Sequence, residues 1–319
     1  MPVLSAAARA SDSSLVSLAR AAVAALVPLA LAAPAAAHPL PQAPDCPVFP
    51  ETNVWNKRVW NLPLRKDSRT IVNAVGARLS LHSDFGSGLW DGGPIGIPIT
   101  VVDSTTPKST VDFEYADESD AGPYPIPDDV AIEGGPAADG DRHAILVDAD
   151  SCTLYELFDL HPSWSAGSGA IWDLTSNALR PRGWTSADAA GLPVLPGLAR
   201  YDEVAAGSID HALRFTVRRS RRAYIYPARH FASPYTSKSL PPMGLRLRLR
   251  RDYFVGSFPP QAQVVLRALK RYGMIVADNG SSWYVSGAPD PAWDNDDLHT
   301  LGRVKGSDFR VVDTSSLRP

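Results

Sequence analysis

Apolar residues in this chain come in short runs, many alternating with polar neighbours, and almost every run is closed by proline or glycine. With 29 prolines and 23 glycines in 319 residues, few stretches escape a breaker long enough to build a helical stripe. Strict alternation in Leu245-Arg-Leu-Arg-Leu-Arg250 predicts a strand with leucines inward and arginines outward. Ile209–Val217 alternates too, placing His211, Leu213, Phe215 and Val217 on one side and Arg214 and Thr216 on the other. The clearest hairpin is His143–Asp148 with Cys152–Phe158, joined by Ala149-Asp150-Ser151. Its first arm is apolar on both faces, which suits a central strand. Further strands are expected at 97–102, 111–115, 224–226, 274–277, 283–285 and 309–312, preceded by an extended arm from Val48 to Leu64 anchored by Trp55 and Trp60. Helical spacing is confined to a segment capped by Ser68 with Ile71, Val75 and Leu79 inward, a short turn over Thr185–Gly191, and Gln261–Tyr272, started by Pro260 and stopped by Gly273. This pattern predicts a mainly β protein, a two-sheet β-sandwich or jelly roll with two or three accessory helices. Regular β-α-β alternation is absent, so doubly wound and TIM-type folds fit poorly.

The first residues follow a different rule. Arg9 and Arg20 precede an apolar run from Ala21 to Ala37, interrupted by Pro28 and Pro34 and ending in small residues. That is the pattern of a secretory signal over residues 1–37, cleaved near Ala37-His38. Residues 38–319 are then expected to form one domain working outside the cell, as a monomer and without stable membrane insertion. Two cysteines, Cys46 and Cys152, are most simply a disulfide in an oxidising compartment, closing a loop that would contribute on the order of 4–5 kcal/mol in the entropic model. Net charge is −3, which gives no reason to expect nucleic acid as a partner.

Candidate chemistry centres on carboxylates. Glu156 lies among apolar neighbours on its strand, where desolvation should raise its pKa toward the range of a general acid. Pairing with an arginine such as Arg214 is the structural alternative. Asp173 follows Trp172, and Asp278 ends a buried strand; either could be the second member of a glycosidase pair. His211 and His230, each on a strand, offer an alternative base. No local zinc signature accompanies them, and the acidic residues of 117–142 lack EF-hand spacing, so neither a metal nor another cofactor is expected. Trp172, Trp184 and Trp283 could supply flat sugar platforms, with Tyr226 and Arg214 as further substrate contacts. Ten arginines between residues 214 and 251 read either as a positive stripe for an acidic polysaccharide or as a charged outer sheet face.

The strings Ser-Gly-Ala-Ile-Trp-Asp-Leu-Thr-Ser-Asn-Ala-Leu-Arg-Pro, Gly-Trp-Thr-Ser-Ala-Asp-Ala-Ala-Gly-Leu-Pro and Ala-Asp-Asn-Gly-Ser-Ser-Trp resemble a group of secreted bacterial proteins without an assigned activity. The resemblance spans most of residues 46–315. It implies secretion and one shared domain, and brings no catalytic residues with it. The residues themselves point to a carbohydrate-active protein acting on a polysaccharide or oligosaccharide. The leading expectation is a glycoside hydrolase with paired carboxylates. The alternatives are a polysaccharide lyase working on a uronate through His, Tyr and Arg, and a non-catalytic glycan-binding or cell-surface structural protein.

Overall fold

The computed structural model describes residues 38–319; the expected leader, residues 1–37, lies outside the described residues. Ten strands form the two larger sheets. In chain order they are β1 (His82–Asp84), β2 (Ile99–Val102), β3 (Ala144–Asp148), β4 (Thr153–Phe158), β5 (Ser168–Asp173), β6 (Leu213–Val217), β7 (Arg246–Leu249), β8 (Met274–Asn279), β9 (Tyr284–Ser286) and β10 (Phe309–Val311). One sheet has the order β1-β9-β6-β8-β7-β10 and the other β5-β4-β3-β2. Both are open, and smaller two-stranded ladders surround them. The fold is therefore mainly β, with several sheets, few helices and no closed barrel among the described residues.

The expected hairpin is present as β3 and β4, antiparallel, with Val147 opposite Leu154 and Ile145 opposite Glu156. Alternation divides the surroundings of this four-stranded sheet. Ile145, Val147, Leu154, Ala170 and Trp172 join one apolar cluster, while Ala144, Leu146, Tyr155 and Leu157 join another. The six-stranded sheet has its own cluster, in which Ala262, Val265, Leu266 and Leu269 of the helix Pro260–Arg271 pack near β7. Cys46 and Cys152 are bonded, tying the start of the described chain to the β3–β4 turn. No helix among the described residues is long and apolar enough to cross a membrane.

Three local expectations need correction. The helix starting at Ser68 ends at Val75, because Gly76 at φ 123° turns the chain, and Leu79 is exposed rather than inward. Tyr224–Tyr226 is no strand, keeping only a single bridge to Met243. Of the arginines of Leu245–Arg250, only Arg250 reaches solvent. Arg246 and Arg248 are buried beneath the extended arm, whose carbonyls lack ladder partners. Arg246 donates to the carbonyls of Tyr272, Val54 and Lys57 at 2.7 Å each. Arg248 donates to those of Val59 and Leu62 at 2.6 and 2.9 Å. Burial pushes the Arg246 guanidinium down to about 9. Arg246→Met should cost about 2–3 kcal/mol in urea unfolding, because the carbonyls of Tyr272, Val54 and Lys57 all lose a charged donor; a loss below about 1 kcal/mol would mean that the arm is held by other contacts.

Between β5 and β6 the expected helical turn over Thr185–Gly191 is irregular. It opens a longer strap, residues 186–200, in which every residue except Ala189 is buried. Irregular backbone survives burial only if its polar groups find partners. Here both sheets supply them. Glu156 of β4 accepts from the amides of Val194 and Leu195, and the Ser168 hydroxyl of β5 donates to the Ser186 carbonyl. From the six-stranded sheet, Ala277 O accepts from Ala190 N, Ser286 O from Ala199 N, and Arg214 forks onto Asp188.

Candidate functional site

One face of the strap borders a cleft of about 390 Å³ whose lining includes Tyr115, Glu118, Asp141, Phe158, His230 and Asp278. Asp278 reaches it because β8 is buried for four residues and then rises toward the surface, leaving the Asp278 side chain one-fifth exposed. Its Oδ2 lies 4.0 Å from Arg214 Nη2. That guanidinium is already committed to Asp188 through two bonds of 2.9 Å, and to Ser286 Oγ. Burial, and then the charge of Asp188, therefore outweigh the attraction of Arg214 and push the Asp278 carboxyl up to about 7, with Asp141 adding to the effect.

His230 stands at the same cleft. Its Nδ1 is 2.9 Å from the Ala189 carbonyl, which can only accept, so Nδ1 carries the hydrogen and Nε2 is free to take one. Nε2 lies 3.9 Å from Glu118 Oε2, an oxygen that also accepts from the Thr185 amide at 2.8 Å. Behind the strap, His143 has acceptors on both ring nitrogens: Glu133 Oε2 at 2.5 Å and Ala187 O at 2.9 Å. Both nitrogens must donate, so the ring is an imidazolium. Burial opposes that charge, but Glu133 wins and raises the pKa to about 9.

Asp278 and His230 are the expected site residues that this cleft brings together. Glu156 is fully buried away from it, both oxygens engaged by strap amides. Burial raises its carboxyl to about 7 against those amides, so the expected shift falls on a group that is closed off from the cleft. Asp173 is exposed and closes a local turn on the Thr175 amide and hydroxyl at 2.8 and 2.6 Å. His211 is buried between Glu203 Oε2 at 3.0 Å and the Ala212 carbonyl at 2.8 Å. Arg214 is a buried partner of Asp188 rather than a substrate contact, and Tyr226 is a half-buried ring against the six-stranded core.

The expected indole platforms are not displayed as platforms. Trp172 is 5% exposed and Trp283 fully buried, the latter donating from Nε1 to the Gly76 carbonyl and stacking on Phe215 and Phe309. Trp184 is half-buried, with Arg180 over its ring at 5.4 Å and over that of Trp172 at 5.7 Å. The indole N–H of Trp172 is buried without a partner. Trp172→Phe should therefore shift stability by less than about 1 kcal/mol and leave any glycan binding unchanged; a large loss of binding would make this ring a substrate contact after all.

Glu118, Asp141 and Tyr115 at the cleft were not singled out from sequence. The two acids belong to a loop dense in Asp, Gly and Pro, where no residue stands apart, though the loop is pinned by Tyr124, fully buried and donating to the Asp120 carbonyl. No family model, curated protein or solved structure matches the chain.

Proposed function

We propose that the chain is a secreted glycoside hydrolase whose two sheets act as a sandwich-like frame, with Asp278 as proton donor and Asp141 as the second carboxylate. The observation that carries this reading is a carboxyl group that solvent can reach and that keeps its proton up to about pH 7. A general acid has to be protonated at working pH, and the anion left after donation needs a nearby positive charge. Arg214 at 4.0 Å provides it. Half-exposed Tyr115 offers a ring face for a sugar where the tryptophans do not. The Cys46–Cys152 bond fits an oxidising compartment.

A uronate lyase is less well supported. It requires a cation free to neutralise the substrate carboxylate, and no lysine or arginine lines the cleft.

Reducing-end release from a panel of soluble glycans tests the proposal. Asp278→Asn should lower turnover by about 10²–10⁴-fold, the usual share of a general acid. Wild-type activity should decline as pH rises through about 7, where Asp278 loses its proton. Absence of turnover on every glycan, or full activity in Asp278→Asn, would remove the hydrolase reading.

A further inference from the structure

A second cleft of about 570 Å³ opens beside β1 and β9, and its lining includes His82, Asp84, Trp90, Glu133 and Tyr284. His82 and Tyr284 are register partners whose rings lie 4.1 Å apart, forming a flat wall. Trp90 is 79% exposed, while the other seven tryptophans are buried or half-buried. It sits in a short ladder, Leu89–Trp90 with Gly93–Pro94, whose base is clamped by Asn295: Oδ1 accepts from Ser87 N and Nδ2 donates to Ser87 O. An indole held out in water beside a cleft is a large apolar face with nothing on it.

At the end of β1, the Asp84 carboxylate receives no hydrogen bond from any described residue, whereas Glu133 is committed to His143. Asp84 is solvent-exposed; partial desolvation by the atoms around it raises its carboxyl, the neighbouring His82 opposes the rise, and the charges of Glu133 and Asp141 add to it. Neither this cleft nor the Asp278 cleft has a lysine or arginine in its lining.

A polar band that is buried at Ser286 and Arg214 runs through the sheet beneath the two clefts. Asp84 pairs in register with Ser286 on β9, the Ser286 hydroxyl meets Arg214 on β6, and Arg214 lies beside Asp278 on β8. Three inter-strand spacings put the two ends of this polar band about 14 Å apart. Flat rings flank both ends, with Tyr115 at the first cleft and Trp90 at the second. Rings of this kind suit the faces of saccharide units better than the alternating side-chain pockets that an extended peptide requires.

We propose that one polymer occupies both clefts and that it is a glycan bearing free amino groups, with Trp90 stacking on a sugar face and Asp84 receiving an ammonium. Aromatic walls beside an unpaired carboxylate attract a cation twice over, through the ring quadrupole and through charge. The same surroundings repel uronates. The inference rests on the Asp278 cleft being a glycan site, but binding can be measured without turnover.

The test uses residues 38–319 carrying Asp278→Asn, with acrylamide quenching of tryptophan fluorescence as the readout. It is titrated with a glucosamine hexamer, its fully N-acetylated counterpart, polygalacturonate and tetralysine. The glucosamine hexamer should protect Trp90, bind at least about 10-fold more tightly than the acetylated form, and weaken with added salt. Trp90→Ala should reduce its affinity about 10-fold, and Asp84→Asn should abolish the preference for the free amine. Equal binding of the two hexamers, preference for polygalacturonate, tightest binding of tetralysine, or no effect of Trp90→Ala would each overturn the proposal. Tight binding of the glucosamine hexamer with no reducing ends released by the wild type would leave it standing and remove the hydrolase reading instead.

Discussion

Replacing Glu156 by alanine should cost about 4 kcal/mol of unfolding free energy, against about 1 kcal/mol for glutamine. The carboxylate is fully buried and accepts from the amides of Val194 and Leu195 at 2.8–3.0 Å. Alanine strands both donors in an apolar cluster and leaves a void. Glutamine keeps an oxygen at the position of Oε1, which already serves both amides.

The pH dependence separates this role from a catalytic one. Folding raises the Glu156 pKa from 4.5 to about 7, so between those values the folded protein holds a proton that the unfolded chain has released. The stability contributed by this group is complete below about pH 4.5 and is lost as pH rises to 7, by about 3 kcal/mol in total. Asp278 pulls in the same direction, and His143, raised to about 9, extends the decline into the alkaline range. Wild-type stability should therefore fall from pH 5 to pH 8, and Glu156→Gln should fall less steeply between pH 5 and 7. Urea unfolding followed by circular dichroism across that range measures both slopes. Parallel curves would show that folding does not raise the Glu156 carboxyl.

Arg214→Met is the second change with a large expected effect, about 3–5 kcal/mol. The guanidinium neutralises Asp188, a carboxylate with no exposure, through a bidentate pair; removing it leaves that charge buried alone. The double variant Arg214→Met/Asp188→Asn should recover much of the loss, with a coupling energy above about 1 kcal/mol in the four-way cycle. Additive losses would contradict the pairing. A second consequence follows at Asp278, which keeps the Asn279 amide but loses the positive charge that opposes its burial and its acidic neighbours: the decline of activity near pH 7 should move to higher pH.

Strand-level structure was legible where alternation and turn chemistry agree. The β3–β4 hairpin and the helix Pro260–Arg271 lie within a few residues of their expected positions, because a four-residue turn closes one and Pro260 with Gly273 brackets the other. Leu245–Arg250 shows where pattern alone misleads. Its period was right, but Arg246 and Arg248 turn inward to serve carbonyls of a segment nearly two hundred residues earlier. Nothing local carries that information. The chain after the expected Thr185–Gly191 turn shows a related limit: Leu192-Pro-Val-Leu-Pro-Gly-Leu-Ala199 is too apolar for a surface loop and too rich in proline for a regular α-helix or ladder. Such a run must be buried with its backbone satisfied by distant side chains, and Glu156 is one of them. The raised acidity expected there proved to be that of a clamp. Asp278 was legible as a position emerging from a buried strand, and His230 was picked for a strand that the structure replaces with irregular chain, whereas Glu118 and Asp141 became distinguishable only once their loop was folded against the sheet.

The strap also limits how this protein could be divided or rearranged. Its polar atoms are partnered on one side by β4 and β5 and on the other by β6, β8 and β9, so neither sheet could be produced as a free-standing half without exposing unpaired backbone along its length. A peptide inserted at Leu192–Gly197 would have to part both sheets at once. The exposed tip at Leu89–Gly92 has no such double attachment and is where the chain should tolerate an insertion, a protease cut or new termini.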